Sequence, residues 1–167
     1  MPSTYTTNLR LNKQATGENN NTWGTVLNDG VISITDDAVA GYAQITLTSV
    51  NVTLTTSNGG GDQARMAFLE PIGSITANIQ MVLPSVSKGY WVRNSTTGAF
   101  AVSLGTLGAT GINIPQGGTT YVICNGSATI AAPDTFPGGV ATPSTVSVGS
   151  TLTVTGNTCL AGTSNHV

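Results

Sequence analysis

Between Gly41 and Ala131 apolar residues return at every second position, in short runs broken by turn-forming residues. A period of two is the signature of strands with one face buried. Ile45 and Leu47 share one face, while Val50, Val52 and Leu54 take the opposite parity, so the slip at Ser49 marks a turn or bulge. Gly59-Gly60-Gly61 places a loop over residues 57–62, and a short strand is expected over 65–70. Ile75, Ala77, Ile79, Met81 and Leu83 give the cleanest alternation, with Ile75, Ile79 and Met81 inward and Thr76, Asn78 and Gln80 outward, until Pro84 stops it. Further strands are expected over 90–94, 100–104, 112–114 and 120–124. Short strands at intervals of roughly ten residues predict a mainly β domain, an antiparallel β-sandwich or a barrel-like fold.

The flanks read differently. Residues 1–21 are polar and are expected to form an extended N-terminal arm. Thr22 is placed to cap a short helix through its hydroxyl. Trp23, Leu27, Val31, Ile34 and Ala38 then form one helical face, which Thr35, Asp36 and Asp37 are expected to end. Residues 22–131 thus make a helix plus β-sandwich domain, and 132–143 make a Pro/Gly-rich linker. Residues 144–167 alternate again through Val146, Val148, Leu152 and Val154, a β-stalk too small to be stable alone. Its apolar face asks to be covered by other copies of the chain.

Charged residues make up 7% of the sequence, against about 25% in an average domain. Disorder is excluded by a hydrophobic fraction of 39% and a net charge of only −2. A surface so poor in charge suits contact with copies of itself. The five basic residues, Arg10, Lys13, Arg65, Lys88 and Arg93, form no cluster, so nucleic acid is not an expected partner. No apolar run approaches the roughly 20 residues of a membrane helix, so no membrane insertion is expected. The opening residues have no basic and apolar regions of a secretion signal, which points to assembly in the cytoplasm. Cys124 and Cys159 have no zinc spacing, and whether they pair stays open.

The inventory for chemistry is poor. His166 stands next to the chain end, Asp36 and Asp37 diverge as neighbours, and Asp62 and Glu70 have no evident acid–base partner. The glycine run is not followed by the Lys-Ser/Thr of a phosphate loop. No enzyme is expected, and no catalytic, cofactor-binding or metal-binding residue is assigned. Tyr90, Trp91 and Tyr121 offer an alternative, a carbohydrate-binding β-sandwich module in which rings stack on sugars, although the alternation places Trp91 in the core. Trp23 reads as core or inter-subunit packing.

The opening block, Tyr5, Asn8-Leu9, Leu11, Gly17-Glu18-Asn19, Thr22-Trp23-Gly24 and Asn28, resembles the virion-proximal region of phage tail-fibre and other virion-fibre proteins. Arg65, Phe68-Leu69-Glu70, then Tyr90 and 94–102, then 122–126 are similar to those proteins as well. Residues 152–158 look like the repeats of fibre shafts. The resemblance implies a structural component of a phage virion, on tail, collar or head. It implies a homotrimer held to tail, collar or capsid proteins by Tyr5, Asn8, Leu9, Leu11 and Trp23, and wound together through Val146, Val148, Leu152 and Val154. Host attachment, with a host-surface glycan as a partner, is part of the same expectation. Such fibres usually continue into a long shaft and a receptor-binding tip, so the resemblance places no receptor contact on particular residues here.

Overall fold

The computed structural model of the protein describes residues 2–132. The linker, the stalk with Val146, Val148, Leu152 and Val154, and Cys159 lie outside the described residues. The chain begins with β1 (Thr4–Tyr5) and β2 (Asn12–Lys13), then α1 (Trp23–Leu27), a π-helical stretch (Asn28–Ser33) and α2 (Ile34–Ala40). Strands follow as β3 (Tyr42–Thr46), β4 (Val52–Thr53), β5 (Phe68–Ser74), β6 (Ile79–Leu83), β7 (Ser87–Arg93) and β8 (Ser95–Thr97). The last four are β9 (Val102–Thr106), β10 (Ile112–Ile114), β11 (Thr119–Asn125) and β12 (Thr129–Ala132).

The mainly β, sandwich-like architecture is what the sequence predicted, and the described residues form no closed barrel. One sheet runs β12-β11-β7-β5-β3, with β8 also on β5; the other runs β10-β9-β6-β4. Strand direction departs from the antiparallel expectation. From β3 to β7 the chain changes sheet at every step, so β3, β5 and β7 pair in parallel, and so do β4, β6 and β9. Parallel neighbours need a crossover, and here the crossover is a strand of the opposite sheet. The turn signals every ten residues are mostly arches between sheets, which sequence spacing does not distinguish from hairpins. Beyond β9 the pairing turns antiparallel, β9 with β10 and β11 with both β7 and β12.

One apolar core fills the space between the sheets. Ile45, Leu69, Tyr90, Val92, Val122 and Cys124 enter it from the first sheet, and Ile79, Met81, Leu83, Val102, Leu104 and Ile114 from the second. Ile75, Ile79 and Met81 are buried as expected, while Ala77 is exposed because residues 75–78 bend between β5 and β6. The strand expected over 65–70 begins later, at Phe68, after a 3-10 turn at Gln63–Arg65.

Two expectations for the flank are corrected. Residues 1–21 are not an extended arm: β1 and β2 pair as Thr4↔Lys13 and Tyr5↔Asn12. The hairpin lies on the body, where Gly59 N donates to Arg10 O at 2.9 Å and Ser87 N to Asn8 Oδ1 at 3.3 Å. Its polar side chains satisfy backbone groups, so it orders without a large apolar core of its own. The helix also differs. The Thr22 side chain makes no capping bond, Asp36 and Asp37 lie inside α2, and the helix ends at Gly41, whose N–H donates to Asp37 O at 2.9 Å. A π-helical stretch closes wider rings than an α-helix, so the face drawn at α spacing does not persist through it. Ile34 is buried, whereas Trp23 is 60% exposed.

The core register is directly testable. Ile79→Asp places an unpaired carboxylate between the sheets, which costs several kcal/mol. Thermal denaturation should show loss of the cooperative transition or a fall of well over ten degrees (about 4–8 °C per kcal/mol in a small domain). Val50→Asp, at an exposed position, should stay within about 0.5 kcal/mol of wild type.

Candidate functional site

Three regions of the described surface were candidates for function. The N-terminal hairpin carries Tyr5, Asn8, Leu9 and Leu11, four of the five residues expected to anchor the chain. Asn8 is engaged with Ser87, Leu11 N donates to Thr6 Oγ1 at 2.9 Å, and Leu9 and Leu11 are half-buried. Only Tyr5 of these is among the exposed large apolar side chains. Glu18 ties the segment together by accepting from Ser3 N at 2.9 Å, Ser3 Oγ at 2.7 Å and Ala15 N at 3.0 Å. These bonds, the Ser3 hydroxyl first, hold the Glu18 carboxyl below its ordinary range. Trp23, the fifth anchor residue, is apart from the hairpin's strands, at the start of α1, linked through Gln14 Nε2 donating to its carbonyl at 3.4 Å.

Behind the hairpin the glycine loop is held by a buried ion pair. Arg65 and Asp62 meet at 2.8 Å, with side chains 2% and 3% exposed. Asp62 Oδ2 also accepts from Ser57 N, and Arg65 donates to Ser57 O, both at 2.6 Å. Lys88 stands nearby, its amine pushed down to about 8 by burial and by the Arg65 charge, donating to Met66 O at 2.8 Å over the Tyr90 ring. The space these groups enclose with Asn8 and Leu9 is no wider than a water molecule. The cluster therefore reads as structural. Among the described residues no group of three His, Cys, Asp or Glu side chains could hold a metal ion.

The third region is the outer face of the first sheet, and sequence reading missed most of it. Tyr42 of β3 lies opposite Phe68 of β5, Phe68 opposite Trp91 of β7, and Trp91 opposite Tyr121 of β11. Four aromatic residues thus form one row across four adjacent strands. Tyr42 and Phe68 have ring centroids 5.5 Å apart, Trp91 and Tyr121 5.2 Å, both tilted. Tyr42 and Trp91 are each 52% exposed, which corrects the expectation of a buried Trp91; the core aromatic is its neighbour Tyr90, whose hydroxyl donates to Ala64 O at 3.1 Å. Two positions along each strand a second row begins with Gln44, Glu70 and Arg93. Glu70 accepts from Ser95 Oγ at 2.5 Å, from the Tyr42 hydroxyl and from Gln44 Nε2 at 3.1 Å. The signal was present in the sequence as an aromatic–apolar–X triplet on four strands, Tyr42-Ala43-Gln44, Phe68-Leu69-Glu70, Trp91-Val92-Arg93 and Tyr121-Val122-Ile123.

The Ser95 hydroxyl, then those of Tyr42 and the Gln44 amide, bring the Glu70 carboxyl down from 4.5 to about 2. A lowered folded-state value stabilises the fold above the unfolded pKa and is lost as the pH falls through the folded one. Carboxyl-carbon NMR should therefore show Glu70 still ionised at pH 3.5, where an unconstrained Glu is largely protonated, with its transition near pH 2. Ser95→Ala should move that transition upward.

The chain matches no protein-family model, no curated protein and no solved structure.

Proposed function

We propose that the chain is a structural component of a phage virion, a homotrimeric fibre protein attached to the particle through its N-terminal region and assembled in the host cytoplasm. The observation that carries this reading is the uncovered apolar face of the helix. Ile32 is 55% exposed and Val39 75%, beside Val31 and Thr35, and Trp23 stands out from the first turn. A helix at the surface of a free-standing domain normally turns its charged side outward. This one presents Ile32 and Val39 to water with a single charge, Asp36, among them, in a chain with 7% charged residues. Apolar surface returns about 25 cal/mol per Å² when buried, so a partner surface is what such a face is built for.

The resemblance of the opening block to virion fibres supplies the kind of partner and the number three. Closed symmetry lets one surface be covered without leaving another open for endless growth. The N-terminal hairpin and Trp23 then face the particle, with tail, collar or capsid proteins as the receiving surface.

Sedimentation equilibrium of the full chain at micromolar concentration should give the mass of three chains. The double variant Ile32→Asp, Val39→Asp should shift the mass toward one chain while keeping the β circular-dichroism spectrum, since neither residue is in the core. A wild-type monomer at that concentration would overturn the reading, and an unchanged trimer in the variant would remove the helix from the interface.

A further inference from the structure

We propose that the outer face of the first sheet is a binding site for neutral oligosaccharide, with Tyr42, Phe68, Trp91 and Tyr121 as the stacking platform and Glu70 and Arg93 along its flank. This inference rests on the geometry of that face alone and stands whether or not the chain is a fibre.

The rings at the two ends of the row are held in place by their surroundings. Tyr121 does not stand upright on β11: a Cβ added to Gly89 of β7 would lie 1.8 Å from the Tyr121 hydroxyl oxygen. The ring is therefore laid across the neighbouring strand, over a position where only glycine leaves room, as glycine in a strand often does for a close approach. Trp91 rests against it. At the other end the Tyr42 hydroxyl is held by Glu70, which fixes that ring as well. Aromatic groups ordered before binding lose little freedom when a ligand arrives. With strands about 4.8 Å apart, the row spans three strand spacings and is a track rather than a point.

The chemistry of the track selects its occupant. The ring face carries the negative lobe of the aromatic quadrupole, which attracts the C–H face of a pyranose. The hydroxyls of the same sugar need hydrogen-bonding groups at the edge of the ring, and the row of Gln44, Glu70 and Arg93 supplies donors and acceptors at one strand-residue repeat from the aromatics. A second protein copy is a poorer fit. The chain has five basic and seven acidic residues, and here one of each sign stands beside the row. Burying an ionised carboxylate and a guanidinium under protein carries a desolvation cost that good pairing must offset, whereas sugar hydroxyls and their waters keep both solvated.

The test uses the intact chain with Trp23→Phe, leaving Trp91 as the single tryptophan, on an array of neutral α- and β-linked hexose and N-acetylhexosamine oligosaccharides. A bound glycan should blue-shift Trp91 emission on titration. Trp91→Ala, measured by calorimetry, and Tyr121→Ala should each weaken binding about tenfold or more, as the loss of a central aromatic contact does. Both positions lie outside the core, and an unchanged melting curve will show that the fold persists. Absence of any binding glycan on the array, or binding that survives both substitutions unchanged, overturns the proposal. So does a fall in sedimenting mass on Trp91→Ala without glycan binding by the parent, which would make the face a contact between copies.

Discussion

Parallel pairing between strands that are close in sequence is the constraint on which the rest of the domain depends. Neither sheet can place β3 beside β5, or β4 beside β6, through a tight turn, because the chain must return to the same end before it runs forward again. The return passes through the opposite sheet each time. Every strand of the winding therefore has one face toward a core shared by both sheets and one face toward solvent. The inward residues are fixed as apolar: Leu69 pairs with Val92 and Tyr90 with Val122 in the first sheet, while Met81 and Leu104 pair in the second. The outward residues are aligned by the same register. In-register parallel strands stack equivalent positions, which aligns Tyr42, Phe68 and Trp91, and the antiparallel pairing of β11 with β7 sets Tyr121 opposite Trp91 to complete the row.

The winding has to stop, and a buried amide marks where it does. Asn94 follows β7 and is fully buried. Its Nδ2 donates to Ile114 O at 2.9 Å and Phe100 O at 3.4 Å, and its Oδ1 accepts from Thr96 N at 3.1 Å and Thr96 Oγ1 at 2.6 Å. Its backbone closes on the turn before β11, donating to Gly118 O and accepting from Gly117 N. One side chain thus connects β8, the segment before β9 and the end of β10. A buried amide left unpaired would cost several kcal/mol in an apolar medium, so this residue accepts few alternative arrangements of those segments. The change from parallel to antiparallel pairing occurs around it.

Inward-facing chemistry was legible in the sequence because burial is written in period two. Ile75, Ile79 and Met81 were placed inside from alternation alone, and they are inside; Ile45 and Leu47, which alternation set on one shared face, are buried as well. Strand direction was not legible, since an arch to the opposite sheet and a hairpin to the neighbouring strand use the same Gly, Asn and Ser residues at the same spacing. The helix face was misplaced because the π-helical stretch at Asn28–Ser33 has no sequence mark that separates it from α-helix. Trp91 was assigned to the core because Tyr90 and Trp91 are both large and adjacent, and alternation says that one must be inside without saying which. The structure gives the inner place to Tyr90, whose hydroxyl finds Ala64 O there. Tyr42 and Phe68 went unnoticed as surface residues because only the parallel register joins them to Trp91.

Two uncovered surfaces remain on the described domain, and their chemistry separates their uses. The helix presents Ile32 and Val39, aliphatic groups on which water gains nothing and a sugar finds no ring face. One charge, Asp36, stands among them. Such a surface is satisfied by another apolar surface, and in a closed assembly that surface comes from another copy. The sheet presents aromatic side chains bordered by an ionised carboxylate that three donors already hold. Those donors spend most of the lone-pair capacity of Glu70, so its role at the surface is to fix Tyr42 and to set a polar edge rather than to act as a base. An aliphatic face wants to be dry and a polar-edged aromatic face tolerates water. The proposed assembly through the helix and the proposed recognition through the sheet therefore need not compete for one surface, and a variant that abolishes one should leave the other to be measured.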